Sequence, residues 1–237
     1  VNRRAQAIVL TLLGGAILKA SLTDVYLRYV KEGLRPFLIV AGVMLLAAAV
    51  MTLYYDLRTG TAGDGDPGHA HHEPRVGWLL ILPALGLVLI TPPALGAYAA
   101  GQSGTALAAV PADSEFAPLP PGDPVPLSLM DYASRAVFDD GHTLAGRRVR
   151  LIGFVTAGPD GQPMLARMVL ACCAADGRPI KVGLTGDVRV DAPADTWVQV
   201  VGTYHDRVVK DPVNKADVPY LAVTSWQKTT APRQTYE

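Results

Sequence analysis

Cysteine is nearly absent from this chain of 237 residues: there are two, adjacent at Cys172-Cys173. A disulfide framework needs several spaced cysteines and is excluded. A bond between sequence neighbours closes a tight, strained ring, so two free thiols or a metal-bound pair is the better reading. Charge of one sign is also missing. Lys and Arg number 21 and so do Asp and Glu. Residues 111–237 carry thirteen basic and fifteen acidic side chains, and this lack of a basic footprint argues against a nucleic-acid partner. No Ser-His-Asp set, phosphate loop or carboxylate pair of definable geometry appears, so the sequence points away from an enzyme. Residues 1–110, finally, hold only fourteen charges.

What that half does contain is long apolar runs. Pro36–Tyr55 is twenty residues without a charge, and Val76–Ala100 is twenty-five. A hydrocarbon core of ~30 Å needs about 20 helical residues, so both are long enough to cross. Tyr54 and Tyr55 on one, Trp78 and Tyr98 on the other, are interfacial aromatics. Pro83, Pro92 and Pro93 are tolerated in a bilayer where neighbours satisfy the freed carbonyls. Ala5–Leu18 is a third apolar run, extended to about Leu22 if Lys19 snorkels to the headgroups. A signal peptide is the alternative, but no small-x-small cleavage site follows. The expectation is a multi-pass protein of the cell membrane, in contact with lipid, with a transmembrane region over 1–104 and three helices at about 5–22, 36–55 and 76–100. An inside N-terminus puts Arg3, Arg4, Arg58 and Arg75 on the cytoplasmic side against Arg28, Lys31 and Arg35 outside, a slight positive-inside bias. Three crossings then make the C-terminal domain extracytoplasmic.

Residues 56–75, rich in Gly, Asp and Pro, read as an exposed loop. They hold His69, His71 and His72, candidate ligands for zinc, copper or nickel, or incidental histidines of a hydrophilic spacer. Residues 105–128 read as a Pro-rich linker, a semi-extended tether. The soluble β domain follows over 129–237. Leu129–Asp139 has helical spacing, with Leu129, Ala133, Ala136 and Val137 on one face. Strands are expected at Arg148–Thr156, Met164–Ala171, Ile180–Leu184, Trp197–Tyr204 and Tyr220–Trp226. Five short strands with turn chemistry between them predict a small five-stranded OB-like barrel, and Gly153 and Gly202 mark bends. The fold class is thus a membrane α-helical N-terminal region plus a mostly β C-terminal domain.

The chemically dense string is MVLACCAADGRPI, residues 168–180. Side chains alternate across a strand, so Cys172 and Cys173 reach one ion only if the backbone turns, and the Ala-Ala-Asp-Gly run supplies a turn. Thiolates suit zinc or cuprous copper, with Asp176 beside them and His142 and His205 as further donors toward a full ligand set. The alternative packs one cysteine in the barrel as a small hydrophobe and leaves the other at the surface.

Several stretches together carry a family resemblance. They are LRYVKEGLRPFLIVAGVMLL (Leu27–Leu46), LLILPALGLVLITPPALG (Leu79–Gly96), GRRVRLIGFV (Gly146–Val155), ARMVLACCAADGRPIKV (Ala166–Val182) and DTWVQVVGTY (Asp195–Tyr204). With them the chain resembles the YcgQ-like family of bacterial membrane permease subunits, the Cys-Cys-Ala-Ala-Asp string being the specific part. The resemblance implies an accessory subunit working with a larger multi-spanning permease, and a functional role for Cys172, Cys173 and Asp176. A metal ion, zinc foremost, is the expected cargo or cofactor. A membrane-anchored thiol-dependent redox enzyme and a non-catalytic tethered binding module are the rival classes. Against the enzyme, no basic residue adjoins the thiols and Cys-x-x-Cys spacing is absent.

Overall fold

The computed structural model describes residues 3–59, 81–90, 92–107 and 116–237, which divide into two compact units, 1–93 and 94–237. In the first, α1 (Arg3–Leu22) and α2 (Arg35–Thr59) form an antiparallel hairpin through two short 3₁₀ turns, Asp24–Arg28 and Glu32–Leu34. Both are long and apolar enough to span a bilayer, over Ala5–Leu22 and within Glu32–Arg58. Small residues let the backbones approach: a Cβ on Gly14 would lie 3.1 Å from the Gly42 carbonyl oxygen, and one on Gly42 would lie 2.7 Å from Leu18 Cγ. The hydroxyls of Thr11, Ser21 and Thr52 donate to carbonyls four residues back, which satisfies them within the helix. Arg35 Nε donates to the Ser21 carbonyl at the bend, and its guanidinium lies over the Tyr26 ring.

The expected third span is not one helix. Among the described residues of 76–100, α3 covers only Ile81–Leu89, nine residues, and Ala97–Gln102 forms a separate helix, α4. The chain between them carries Pro92-Pro93, which lack the amide hydrogen a helix needs. In α4, Ala97 and Ala100 are buried against Phe154, Ala166 and Met168, so the apolarity of 94–100 serves the barrel's packing. Two helices, not three, therefore meet the spanning criterion among the described residues. Among the described residues, then, the third helix on which the extracytoplasmic placement of the C-terminal domain rested is not found.

The second unit is a closed five-stranded barrel. The strands β2 (Arg148–Ala157), β3 (Pro163–Val169), β4 (Arg178–Thr185), β5 (Trp197–Lys210) and β6 (Asp217–Lys228) run in the order β2-β3-β4-β6-β5, and β5 closes back onto β2. All pairs are antiparallel except β4 with β6. A two-residue strand, β1 (Val125–Pro126), adds in parallel to the start of β2. Inward side chains of every barrel strand, Leu151, Leu165, Val182, Val200 and Leu221 among them, meet in one core. The amphipathic helix α5 (Leu129–Phe138) packs on that core with Leu129, Tyr132, Ala133 and Ala136, at i, i+3, i+4 and i+7. Tyr132 joins the expected inward face, its hydroxyl donating to the buried Tyr220 carbonyl at 2.6 Å, while Val137 is only half-buried.

The stretch read as a linker is held to the barrel wherever it is described. Ala106 N–H donates to the Pro179 carbonyl, Arg148 grips Asp123 through two hydrogen bonds, and Arg135 and Arg147 reach the Ala117, Pro120 and Gly122 carbonyls. At the other end of the chain, Glu237 crosses back to the first turn of α5. Its carboxylate accepts from the amides of Leu129 and Met130, both at 2.9 Å, and pairs with Arg167 at 3.4 Å. These are orphan donors at the positive end of a helix, so a carboxylate there stabilises. Glu237→Ala is expected to lower stability by about 1–2 kcal/mol. Denaturant unfolding followed by tryptophan fluorescence checks this; an unchanged midpoint would remove the cap from the account.

Candidate metal centre

Between β3 and β4 the chain makes a tight reversal. Pairing persists to Val169 opposite Arg178, and the residues between bend at Ala171-Cys172, extend at Cys173 and enter a single 3₁₀ turn, Ala174–Asp176. Cys173 caps this turn: its sulfur accepts the Asp176 amide while the Asp176 carboxylate accepts the Cys173 amide. That is a capping box with cysteine in the place of serine or threonine. The carboxylate also takes the Ala171 amide on Oδ1 at 2.8 Å, and on Oδ2 the Cys172 amide at 2.8 Å and the Cys172 thiol at 2.9 Å. The reversal is what the adjacent cysteines required. Instead of pointing to opposite faces, the two sulfurs and the carboxylate lie within 4.8 Å of one another. Cys172 is exposed and Cys173 half-buried, so neither packs as a core hydrophobe.

The electrostatics follow from these contacts. The Cys172 thiol hydrogen bond and the backbone amides of Cys172 and Cys173 hold the Asp176 carboxyl far below the usual carboxylate range. The Cys172 thiol is pushed up to about 11, first by its bond to Asp176 and next by Cys173. At neutral pH it is therefore a protonated thiol and a poor nucleophile. A soft cation that displaces the thiol protons would bind two thiolates beside an existing negative charge, so the donor set fits a thiophilic metal.

Other predicted ligands do not join it. His142, in the 3₁₀ turn His142–Leu144, and His205, on β5, are both exposed and neither belongs to the donor group found among the described residues. His69, His71 and His72 lie outside the described residues. The turn is an open surface feature: cavities of about 320 Å³ beside Gly186–Val190 and about 160 Å³ beside Pro159 and Pro212 lie elsewhere on the barrel, and neither is lined by residues 172–176. Leu95 covers one side of the turn, where a Cβ on Gly177 would strike its methyl group. The turn thus sits at the end of the barrel where the chain enters the unit, and Leu95 is fixed there by donating its amide to the Tyr236 hydroxyl. Sequence reasoning named Asp176 as a candidate ligand and missed its part in closing the turn, although the Cys-x-x-Asp spacing before a strand was the signal for it.

Residues 134–237 match the DUF1980 C-terminal domain family. The matched segment begins inside α5 and takes in all five barrel strands and the Cys172–Asp176 turn. The match covers the soluble domain and supports neither the YcgQ-like assignment nor the permease-subunit role. No curated protein and no solved structure matches the chain.

Proposed function

We propose that this protein is an accessory membrane subunit of a permease complex that handles a thiophilic metal ion, zinc foremost, through its barrel domain. The observation that carries the reading is the convergence of Cys172 Sγ, Cys173 Sγ and an Asp176 carboxylate oxygen within 4.8 Å on an exposed turn. The two spanning-length helices supply the anchor, and the strand order with its parallel β4–β6 pair is the arrangement expected of an OB-like barrel. The two spanning-length helices among the described residues make a thin pathway for an ion, which is the reason to look for a multi-spanning partner. The rival reading as a thiol redox enzyme finds less support, because Cys172 is held protonated and no cation among the described residues lowers it to a thiolate.

The test uses the full chain in detergent, loaded with zinc and passed through a desalting column. One zinc per chain is expected in the wild type, and none with Cys172→Ser and Cys173→Ser combined. Stoichiometric zinc retained by that double variant would end the proposal.

A further inference from the structure

We infer that the Cys172–Asp176 turn is a transfer site for a divalent, zinc-class cation, with the two thiolates as its ligands and Asp176 as a positioning residue. This deepens the metal reading and rests on it. The argument begins with what the carboxylate is already doing. Asp176 accepts four hydrogen bonds, and Oδ2 takes three of them: the amides of Cys172 and Cys173 and the Cys172 thiol. Binding an ion removes the thiol proton, but the amide hydrogens stay, and they are what folds the turn so that both sulfurs face the same way. An oxygen occupied by two backbone donors has little left to offer a metal, whereas the sulfurs carry no comparable load. Cys173 Sγ accepts the Asp176 amide at its cap and neighbours the Cys172 thiol, and Cys172 Sγ is a donor whose proton leaves.

Charge selects the ion. A divalent cation neutralises both thiolates, whereas a monovalent one leaves an uncompensated thiolate charge against the Asp176 carboxylate. Coordination selects the role. Zinc in a structural site is closed by a full tetrahedral set of protein ligands, and among the described residues no further His, Cys, Asp or Glu joins this group. Cys172 is exposed and no described residue fills the remaining positions, so an incoming donor can take the ion by ligand exchange. The binding step balances without a redox partner: two S–H bonds break, two Zn–S bonds form, both protons go to water, and no electron moves.

The experiment compares the full chain with Asp176→Ala, Asp176→Asn and Asp176→Glu, using zinc competed against a chromophoric chelator. Cadmium's thiolate charge-transfer band counts the sulfur ligands. As a positioning residue, Asp176→Ala should weaken zinc binding about 10–100-fold. Asp176→Asn keeps a carbonyl oxygen for the Cys172 and Cys173 amides, so it should recover most of the loss. Asp176→Glu keeps the charge but overreaches the turn and should not. A ligand role predicts the reverse order, and affinity in Asp176→Glu above that in Asp176→Asn would overturn the positioning claim while leaving the thiolate site standing. The cadmium band should show two thiolates in the wild type and in Asp176→Asn alike. Independently of any variant, wild-type zinc should pass to the chelator within the mixing time; release over hours would mean a closed site and overturn the transfer role. Wild-type protein that binds cuprous copper through both thiols but not zinc would overturn the charge argument. Zinc binding unaffected by loss of both thiols would bring down the metal reading itself.

Discussion

Replacing Asp211 by alanine is expected to destabilise the barrel by about 3–5 kcal/mol, because it strands a charge in the interior. Lys181, on β4, and Asp211, immediately after β5, are both buried, and the Lys181 ammonium lies 2.9 Å from Asp211 Oδ2. Its other partner is the Ser103 carbonyl at 2.8 Å. Asp211 in turn accepts the amides of Thr105 and Val213. Without the carboxylate, the ammonium keeps one carbonyl and no counter-charge, and two amides lose their acceptor. Lys181→Met should cost less, since Asp211 would retain both amides. Unfolding of the full chain in detergent, read from Trp197 and Trp226 fluorescence, measures the difference. A loss under about 1 kcal/mol in Asp211→Ala would show that water reaches the pair.

The same pair predicts an acid limit. Burial by itself would push the Asp211 carboxyl up, but the Lys181 hydrogen bond, the Val213 amide, the Lys181 charge and the Thr105 amide outweigh it and leave the group below its ordinary value. A carboxyl lowered in the folded state contributes stability that is fully present above its unfolded value of about 3.9 and is lost as pH falls through the folded value. The Asp211-dependent part of stability should therefore be flat from neutral pH down to about 4 and fall below it. In Asp211→Asn that part of the fall should be missing. The pair matters for the candidate site because β4 carries both ends of the arrangement: Lys181 stands three residues into the strand that the Cys172–Asp176 turn feeds. Its amide and ammonium hold residues 103–105, which continue the entry segment whose Leu95 covers the turn.

The sequence disclosed the strands best where one face was buried. All five expected runs are barrel strands, and Leu151, Leu165, Val182, Val200 and Leu221 are inward residues within them. It disclosed least where exposure erased the alternation. The far end of β5, residues 205–210, is largely exposed and polar, so the apolar pattern of the strand ends at Tyr204. β1 is two residues long, too short to leave a pattern. Apolarity misled at 94–100, because burial against Phe154 and Met168 selects the same small apolar residues as lipid does. At the site, the string Cys-Cys-Ala-Ala-Asp was enough to bring the donors together, since the turn it encodes is local. Contacts made across the chain left no such trace. Glu237 caps a helix that begins at Leu129, and Tyr236 holds Leu95, and neither pairing has a spacing that sequence reasoning can read.

Gly202→Val should leave little folded barrel, and the reason is a close approach of two strands at a bulge. Gly202 lies on β5 opposite Val149 of β2 and Val223 of β6, at a register shift between Val201 and Gly202. A Cβ there would fall on the Ala222 carbonyl oxygen and lie 2.9 Å from Leu221 Cγ. The first obstacle is backbone, so it cannot turn aside as a side-chain tip would. Relief requires β5 and β6 to separate where β5 also closes the barrel onto β2. Overpacking a core costs about 1–3 kcal/mol when side chains can yield, and this site should exceed that range for valine and reach its upper end for alanine. Gly153, whose Cβ would lie 2.6 Å from the Ala166 carbonyl oxygen, makes the corresponding approach between β2 and β3 and should respond in the same direction. An unchanged unfolding midpoint in Gly202→Ala would show that the strands have room there. Loss of closure has a second readout. The turn that gathers Cys172, Cys173 and Asp176 is held open-ended between β3 and β4, with Val169 paired to Arg178 at its base. A barrel opened at β5–β6 should lose cooperative unfolding first and retain zinc only as long as that β3–β4 pairing survives.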